Sequence, residues 1–290
     1  MSYKTHIQWA DSTWNVVTGC NKVSLGCVNC YAERHWARLS GNKATKYHGR
    51  KFFNVRCHPE ELRTPLRWKN PRRIIVPSMG DLFDPDVPFD FIASVFGVMA
   101  AASHHVFQVL TKRPMQLHAW MNWISDARRI VPHHPGSDTA RLYAIWQAWK
   151  AGIDFDSHTI LPALRGDWVP HAYGPWPLPN VWFGVSCEDQ ATADERIPIL
   201  IDTPAAHRFV SAEPLLEEID LRSHGLDWVI VGGESGPKAR PCELAWIRSI
   251  VEHCEDAGIP VFVKQVHLNG KLSTNPDEWP EDVRVTENPE

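Results

Sequence analysis

The residues that are best suited to carry out chemistry are three cysteines near the start of the 290-residue chain. Cys20, Cys27 and Cys30 follow a C-x6-C-x2-C pattern, and an aromatic residue, Tyr31, comes directly after the last of them. Glycine and asparagine residues lie among the three thiols, as is typical of a loop. A disulfide would leave one of the thiols unpaired, whereas a metal ion or a cluster can use all three. The pattern therefore favours a metal or cluster site.

The bulk composition indicates that a metal here would serve chemistry rather than folding. The chain is 43% hydrophobic and 22% charged, which is ordinary for a globular protein. A chain of this length buries enough apolar surface to fold without a disulfide or a structural metal. The sequence starts without a secretory signal and contains no apolar run of transmembrane length. We therefore expect a cytoplasmic protein with reduced cysteines and no membrane partner.

Positive charge is concentrated directly after the cysteines. Residues 31–73 contain twelve lysines and arginines against three glutamates, a local charge of +9, whereas the whole chain carries −4. Such a segment predicts a phosphate-bearing partner, a nucleic acid or a nucleotide, near the cysteine loop. A solvated basic helix and loop with no partner explains the same charges, and both interpretations stay open at this point.

Short apolar runs alternate with helical patterns along most of the chain. Strands are predicted at residues 73–77, 106–110, 181–185, 208–210, 228–231 and 260–263, with a weaker one at 15–18. Helices are predicted at residues 28–39, with Gly41 as the stop, and at 88–103 and 243–257. Near-continuous apolar strands separated by helices are typical of a parallel sheet covered on both faces. The prediction is an α/β fold, specifically a complete or partial (β/α) TIM-like barrel.

One domain is expected over residues 1–268, followed by an acidic tail at residues 269–290 that wraps loosely. Residues 115–180 exceed the length of a crossover and are predicted to be a helical insertion, with an amphipathic helix at 141–153, that caps the barrel mouth. The insertion is rich in tryptophan and histidine, including Trp120, Trp123, His133, His134, Trp146, Trp149, Trp168, His171 and Trp176. We interpret His133 and His134 as a surface pair, because neither has the spacing of a metal ligand.

Nearly every predicted strand finishes in a charged residue or a glycine pair. The charged residues are Asp81, Lys112, Arg113, Glu188, Asp189, Glu213, Glu234 and Lys264, and the glycine pair is Gly232–Gly233. In β/α barrels the working residues lie at the carboxyl ends of the strands, so these groups should converge on one mouth together with the cysteine loop. A ring of charges at a buried edge is costly unless the charges are paired or bind a ligand. The set therefore predicts a catalytic or binding site.

Three cysteines in a loop that leads into a helix, within a β/α barrel, resemble the radical S-adenosylmethionine (SAM) enzymes. The chain is also similar to a phage- and prophage-associated three-cysteine family of unknown function. The matching blocks are WNVVTGCNKVSLGCVNCYAER (residues 14–34), PSMGDLFD (77–84), VLTKRP (109–114), GVSCEDQ (184–190), FVSAEPLL (209–216), VIVGGESGPKAR (229–240) and VFVKQ (261–265). The first gap between cysteines is six residues, where radical SAM enzymes usually have three.

The resemblance implies a radical SAM-type barrel and an iron–sulfur enzyme that cleaves SAM reductively, with an electron donor protein as a partner. Cys20, Cys27 and Cys30 would hold a [4Fe–4S] cluster with one iron left open. Candidate SAM contacts are Met79, Gly80, Asp81, Ser186, Glu188, Glu213, Gly232, Gly233 and Glu234. Candidate catalytic residues are Lys112, Arg113, Glu213 and Lys264, acting on a nucleic acid or nucleotide that is modified or repaired.

Two other hypotheses are compatible with the same residues. In the first, the three cysteines bind zinc, with Cys57 or His58 as the fourth ligand, in a nucleic-acid-binding protein without radical chemistry, since structural zinc sites have four closed ligands. In the second, the chain is a phage accessory protein whose cluster site is degenerate.

Overall fold

Seven parallel strands and one antiparallel edge strand form the central sheet. The computed structural model describes residues 5, 7–126, 139–153, 175–221 and 225–289. In chain order the strands are β1 (Ser12–Thr13), β2 (Val17–Thr18), β3 (Arg56–Cys57), β4 (Arg73–Val76), β5 (Val106–Thr111), β6 (Val181–Ser186), β7 (His207–Ala212), β8 (Trp228–Gly232), β9 (Val261–Leu268) and β10 (Lys271–Ser273). The sheet order is β1-β4-β5-β6-β7-β8-β9-β10, and only β9 and β10 pair antiparallel.

The sheet is a curled half-barrel rather than a closed barrel. Strands β1 and β10 end the strand order, and within the described residues no pairing joins them. The partial form of the predicted barrel is therefore the correct one. Strands β6 and β8 are buried along their whole length, which is why their sequences are continuous apolar runs instead of alternating ones. The six stronger strand predictions are all confirmed, and β9 extends further, to Leu268.

In the described residues a helix lies between most successive parallel strands of the central sheet, although none lies between β7 and β8. The helices of this part of the chain are α1 (Tyr31–Gly41), α2 (Phe89–Ala101), α3 (Pro114–Ser125), α4 (Thr139–Lys150), α5 (Gln190–Asp202) and α6 (Leu244–Ala257). Helix α6 is followed by Gly258, whose φ of 66° gives the left-handed turn that ends the helix. Helix α1 begins only after Cys30 and includes Gly41, so its predicted start and stop were wrong by a few residues.

The first barrel strand is not the one predicted. Residues 15–18 do not enter the central sheet, because β2 pairs antiparallel with β3 in a separate two-stranded sheet. The central sheet begins instead with β1, which pairs with β4. Between them, the Asn15 side-chain oxygen accepts hydrogen bonds from the backbone N–H groups of Ser78 (2.8 Å) and Met79 (2.9 Å). Asn15 therefore ties the departing chain to the carboxyl end of β4.

Aromatic side chains fill the concave face of the half-barrel. Trp9, Trp182, Phe209, Trp228 and Phe262 form a buried cluster that contains no helix residue. The ring of Trp9 lies 5.8 Å from that of Trp228 in an edge-to-face arrangement, a favoured geometry for aromatic pairs. These rings therefore pack the face of the sheet that the helices leave uncovered.

The described part of the predicted insertion belongs to the outer helical layer. Helix α3 packs against α5, and α4 packs against α2 so closely that a Cβ at Gly97 would collide with the backbone oxygen of Ala144. His133, His134, Trp168 and His171 lie outside the described residues. No helix in the described part of the chain has the length and hydropathy needed to cross a bilayer.

The tail is packed rather than loose. Strand β10 pairs with β9, Val263 N–H donates to the Val285 carbonyl (2.8 Å), and Glu287 N–H donates to the Val261 carbonyl (2.9 Å). Trp279 is fully buried, and its indole N–H donates to Ser273 Oγ at 3.1 Å. The acidic composition of the tail concealed these apolar anchors.

Candidate functional site

The cysteine loop, residues 20–30, lies at the carboxyl end of β4. Gly19 N–H donates to the Met79 carbonyl (2.9 Å), and Cys20 N–H donates to the Phe52 carbonyl (3.1 Å). A short 3-10 helix, Leu25–Cys27, follows, and Cys30 precedes the first turn of α1. All three cysteines of the loop are free thiols and are half-buried. The loop thus presents three thiols at the edge where the strand-end charges were predicted to meet.

Arg113, at the end of β5, fastens the first part of the loop. Its guanidinium donates to the Asn21 carbonyl (2.9 Å) and approaches Cys20 Sγ at 3.7 Å. The same group pairs with Asp84 (2.9 Å) and Asp81 (3.4 Å). Burial, together with the nearby Asp81 carboxylate, raises the pKa of Cys20 to about 12, so this thiol is protonated until a metal or another cation displaces the proton.

Glu188, after β6, holds the middle of the loop. Its side chain is fully buried, and one carboxylate oxygen accepts a hydrogen bond from Gly26 N–H at 3.2 Å. The other oxygen pairs with Arg196 of α5 at 3.0 Å and lies 4.0 Å from Lys112 Nζ. An unpaired buried carboxylate would be strongly disfavoured, and the two cations provide the partners that Glu188 needs at this position.

Glu234, after β8, holds the last part of the loop. Its carboxylate accepts hydrogen bonds from the Asn29 side chain (2.8 Å) and from Arg240 Nε (3.0 Å). Arg240 also donates to the Leu25 carbonyl at 3.0 Å. Burial alone would raise the pKa of Glu234, but the hydrogen bonds from Arg240 and Asn29 hold it below its ordinary value. Side chains from three strand ends therefore fasten three parts of one loop.

Glu213 and Lys264 form a separate ion pair at the same edge. Glu213 follows β7, Lys264 lies in β9, and their side chains are 19% and 20% exposed. Neither makes a hydrogen bond to the cysteine loop within the described residues. The Tyr31 hydroxyl, which interacts electrostatically with Glu213, donates to the Ser78 carbonyl. The pair is thus a partly accessible acid and base beside the loop.

Several predicted SAM-contact residues are required by the packing of the protein itself. A Cβ at Gly80 would lie 2.9 Å from the carbonyl oxygens of Gly19 and Val17, so only glycine allows this approach of the loop. A Cβ at Gly233 would lie 3.1 Å from both Cys242 and His267, and one at Gly232 would lie 3.1 Å from Gln265. Met79 and Ser186 are buried. Their contact with SAM stays a prediction.

The donor set matches a thiolate-bound group in number and type. Three free, half-buried thiols lie on one loop, where a cluster held by three cysteines needs them. In the described residues, however, no three His, Cys, Asp or Glu side chains converge as a ready-made metal site. The loop would have to tighten around a bound group, as is usual when metal binding is coupled to local folding.

The predicted fourth zinc ligands are poorly available. The His58 ring is buried, with Nε2 at 2.7 Å from Thr18 Oγ1 and Nδ1 at 2.9 Å from Glu60 Oε1. Both nitrogen atoms are therefore engaged. Cys57 is a half-buried residue of β3, opposite Val17 in the small sheet. A zinc site that used His58 would have to break this hydrogen-bond chain.

The structure uses several charges of the basic segment internally. Lys46 pairs with Glu61 (2.9 Å), Arg50 donates to Thr18 Oγ1 (2.8 Å), and Arg72 donates to Ser12 Oγ (2.9 Å). Arg63 donates to the Gly152 carbonyl, and Arg73 lies 4.0 Å from Asp11. At least these five of the twelve basic residues thus have contacts within the protein. Exposed basic residues include Arg34, Arg38, Lys43, Lys51 and Arg56.

Sequence reasoning missed the residues that connect the strand ends to the loop. They are Asn15, Asn29, Asp84, Arg196 and Arg240. Asp84 and Arg240 stand in the blocks PSMGDLFD and VIVGGESGPKAR, which were noted for resemblance and not for chemistry. Arg196 lies on helix α5, and no sequence motif marks it as the partner of Glu188, which lies eight positions earlier.

Comparison with known proteins identifies the family and leaves its activity open. The profile of a family described as "protein of unknown function (DUF5131)" matches residues 4–277, and the chain belongs to this family. No curated protein matches the chain.

Among solved structures, two mutants of spore photoproduct lyase are weakly similar. The cysteine-to-serine mutant has 14% identity and a TM-score of 0.31, and the match covers 73% of this chain and 58% of that one. The tyrosine-to-phenylalanine mutant gives 14% and 0.29, with 72% and 57% covered. The chain thus spans less than two thirds of the length of these structures.

Proposed function

We propose that this member of the DUF5131 family is a cytoplasmic iron–sulfur enzyme of the radical SAM type. Cys20, Cys27 and Cys30 would hold a [4Fe–4S] cluster, and SAM would bind beside it at the strand ends. One observation carries the proposal. Three free thiols occupy a single loop, and Arg113, Glu188 and Glu234, from three different strands, fasten that loop to the carboxyl edge of the sheet.

The fastening residues explain how the chain would keep such a loop in place. Arg113, Glu188 and Glu234 each contact the loop at a different position, so the loop can tighten locally while its anchors stay fixed. When bound, the cluster supplies the electron that cleaves SAM to a 5′-deoxyadenosyl radical. The contribution of the protein would be to position the thiols at the carboxyl edge of the sheet.

The Glu213–Lys264 pair is the best candidate to contact SAM or the substrate. It lies at the same edge, is partly accessible, and is not used to fasten the loop within the described residues. Lys112, which is only partly exposed beside Glu188, is the next candidate. A ligand carboxylate or phosphate could replace Glu213 as the partner of Lys264, and the partly exposed Glu213 side chain would then be left to the solvent.

Iron and sulfide analysis after anaerobic purification and reconstitution tests the proposal. The wild-type protein is expected to be brown and to hold close to one cluster per chain. Replacing Cys20, Cys27 and Cys30 together by serine should abolish iron binding. Cys57→Ala is the matched control, because Cys57 is also a half-buried free thiol but lies outside the loop.

Two results would refute the proposal. A reconstituted wild-type protein with far less than one cluster per chain is the first. The second is zinc in the native protein that Cys57→Ala removes, which would support the zinc hypothesis instead.

With a chemical reductant in place of the electron donor protein, the loaded enzyme should also release 5′-deoxyadenosine from SAM. A loaded enzyme that releases none would have a degenerate site.

A further inference from the structure

Exposed apolar side chains are concentrated around the cysteine loop. In the described residues, seven large hydrophobic side chains are exposed. Four of them, Val23, Leu25, Val28 and Tyr31, lie in the loop or directly after it. Single exposed apolar residues need no explanation, but a concentrated patch marks a binding surface.

Two more members of the patch lie on segments that are bonded to the loop. Phe53 is 58% exposed, and the neighbouring Phe52 carbonyl accepts the Cys20 N–H. Met115 is 61% exposed and lies two residues after Arg113, which donates to the Asn21 carbonyl. We call these six residues the loop face. The remaining exposed hydrophobic residue, Trp149, lies on α4.

Exposed positive charge lies on the loop and on the segments that are bonded to it. The exposed basic residues on the loop and on the segments bonded to it are Lys22, Arg34, Arg38, Lys51, Arg56 and Lys238. Arg34 donates to Ser235 Oγ (3.4 Å), and the Lys238 carbonyl accepts from the Asn29 side chain (3.0 Å), so both segments adjoin the loop. Glu33, which pairs with Lys22, is the one carboxylate within residues 20–38, 50–57 and 235–240.

Both aromatic rings of the loop face have a nitrogen-bearing side chain beside them. Lys51 Nζ lies 5.6 Å from the Phe53 ring centroid, and the Tyr31 ring lies 6.3 Å from that of His35. Aromatic rings beside basic groups are the usual elements of single-strand binding, because bases stack on the rings while cations follow the phosphates. A base paired within a duplex cannot stack in this way.

We propose that the loop face binds single-stranded nucleic acid. The charge pattern favours a polyanion, and the exposed Phe53 and Tyr31 rings favour accessible bases over a duplex. That the bound strand is the substrate rests on the proposed function, because the face adjoins the three thiols. Binding itself does not depend on a cluster and can be measured separately.

Fluorescence anisotropy with labelled oligonucleotides of about 16 nucleotides tests the proposal. Single-stranded DNA, single-stranded RNA and duplex DNA would be titrated with the protein before and after cluster reconstitution. Phe53→Ala should weaken single-strand binding about 5- to 100-fold, the range for loss of one stacked base. Arg56→Ala should lower the slope of log K against log salt by about one.

The matched controls are Trp149→Ala and Lys150→Ala, which remove an exposed ring and a cation from α4, the helix that packs against α2. Neither control should change the affinity or the salt slope. Thermal melts of all four variants should coincide with the wild type, because the Phe53 and Trp149 rings are exposed.

Three results would overturn the proposal. They are absence of single-strand binding at low salt in both forms of the protein, equal losses for Phe53→Ala and Trp149→Ala, and a preference for duplex. Self-association of the chain that Leu25→Asp abolishes would assign the loop face to a second copy instead. Single-strand binding by a protein that holds no iron would keep this proposal and refute the proposed function, so the two failures are distinguishable.

Discussion

Replacing Gly26 by alanine tests whether close packing against Glu188 fastens the cysteine loop. The new Cβ would lie 2.9 Å from the Glu188 carboxyl carbon and 3.1 and 3.2 Å from its two oxygens. Atoms this close must separate. Glu188 cannot retreat easily, because it is fully buried and paired with Arg196 at 3.0 Å. The loop is therefore expected to move away from the sheet.

The magnitude follows from two contributions. Overpacking of a buried contact costs about 1–3 kcal/mol, and a hydrogen bond to a charged group, here Gly26 N–H to Glu188, contributes about 1.5–3 kcal/mol. Because the loop can detach without unfolding the sheet, only the local equilibrium changes. Together the two contributions amount to at least about 2.5 kcal/mol, which increases the detached population about 70-fold or more.

Hydrogen exchange of the backbone amides in residues 21–30 measures this population directly. Gly41→Ala is the matched control, since a Cβ at Gly41, in α1, would have no atom within 4 Å. The control should leave exchange in the loop unchanged and should be neutral or stabilising by about 0.5 kcal/mol. Equal protection of the loop in Gly26→Ala and Gly41→Ala would refute the packing argument.

Three further predictions concern the charges around the loop. Glu188→Gln removes one partner of a buried ion pair and should lower the free energy of unfolding, measured in urea, by about 3 kcal/mol. The control Glu252→Gln, at an exposed position of α6, should leave it unchanged. Equal values for the two variants would mean that the pair with Arg196 is dispensable. Lys264→Ala breaks a partly exposed ion pair and should lower the free energy of unfolding by about 1 kcal/mol or less. It should nevertheless slow the release of 5′-deoxyadenosine about 100-fold. The control Lys271→Ala should keep full activity, and full activity of Lys264→Ala would exclude Lys264 from the site. Burial lowers the pKa of His58, against the opposing effect of the hydrogen bond to Glu60. Below about pH 6.5 the unfolded chain therefore binds the proton more readily than the folded chain, and stability should decrease as the pH is lowered. A His58→Gln variant whose melting temperature depends on pH as that of the wild type does would contradict this.

Most of the sheet could be predicted from the sequence, because a strand that is buried on both faces consists of a continuous run of apolar residues. Strands β6 and β8 show this directly. Strand β1 is different, since it consists of two residues, Ser12 and Thr13, with no apolar run to mark it. Its place in the sheet depends on pairing with β4, a contact across sixty residues that local sequence does not encode.

The location of the candidate site could be predicted from the sequence, but the contacts between its residues could not. Parallel strands bring their carboxyl ends to one edge, so the meeting of Asp81, Glu188 and Glu234 with the cysteine loop followed from the strand predictions. What those carboxylates do could not be read from the sequence. Asp81 and Glu188 pair with cations from other elements, Arg113 and Arg196, whereas Glu234 pairs with Arg240 of its own loop. The first two pairings depend on tertiary packing, and the third depends on how the loop folds back.

We propose that the cysteine loop holds a cluster with one iron open to SAM. Electron paramagnetic resonance of the reduced, reconstituted protein, recorded with and without SAM, tests this arrangement. The expected result is a cluster signal that changes shape when SAM is added, and no signal when Cys20, Cys27 and Cys30 are replaced by serine. A cluster signal that SAM leaves unchanged, or one that survives loss of the three cysteines, would contradict it.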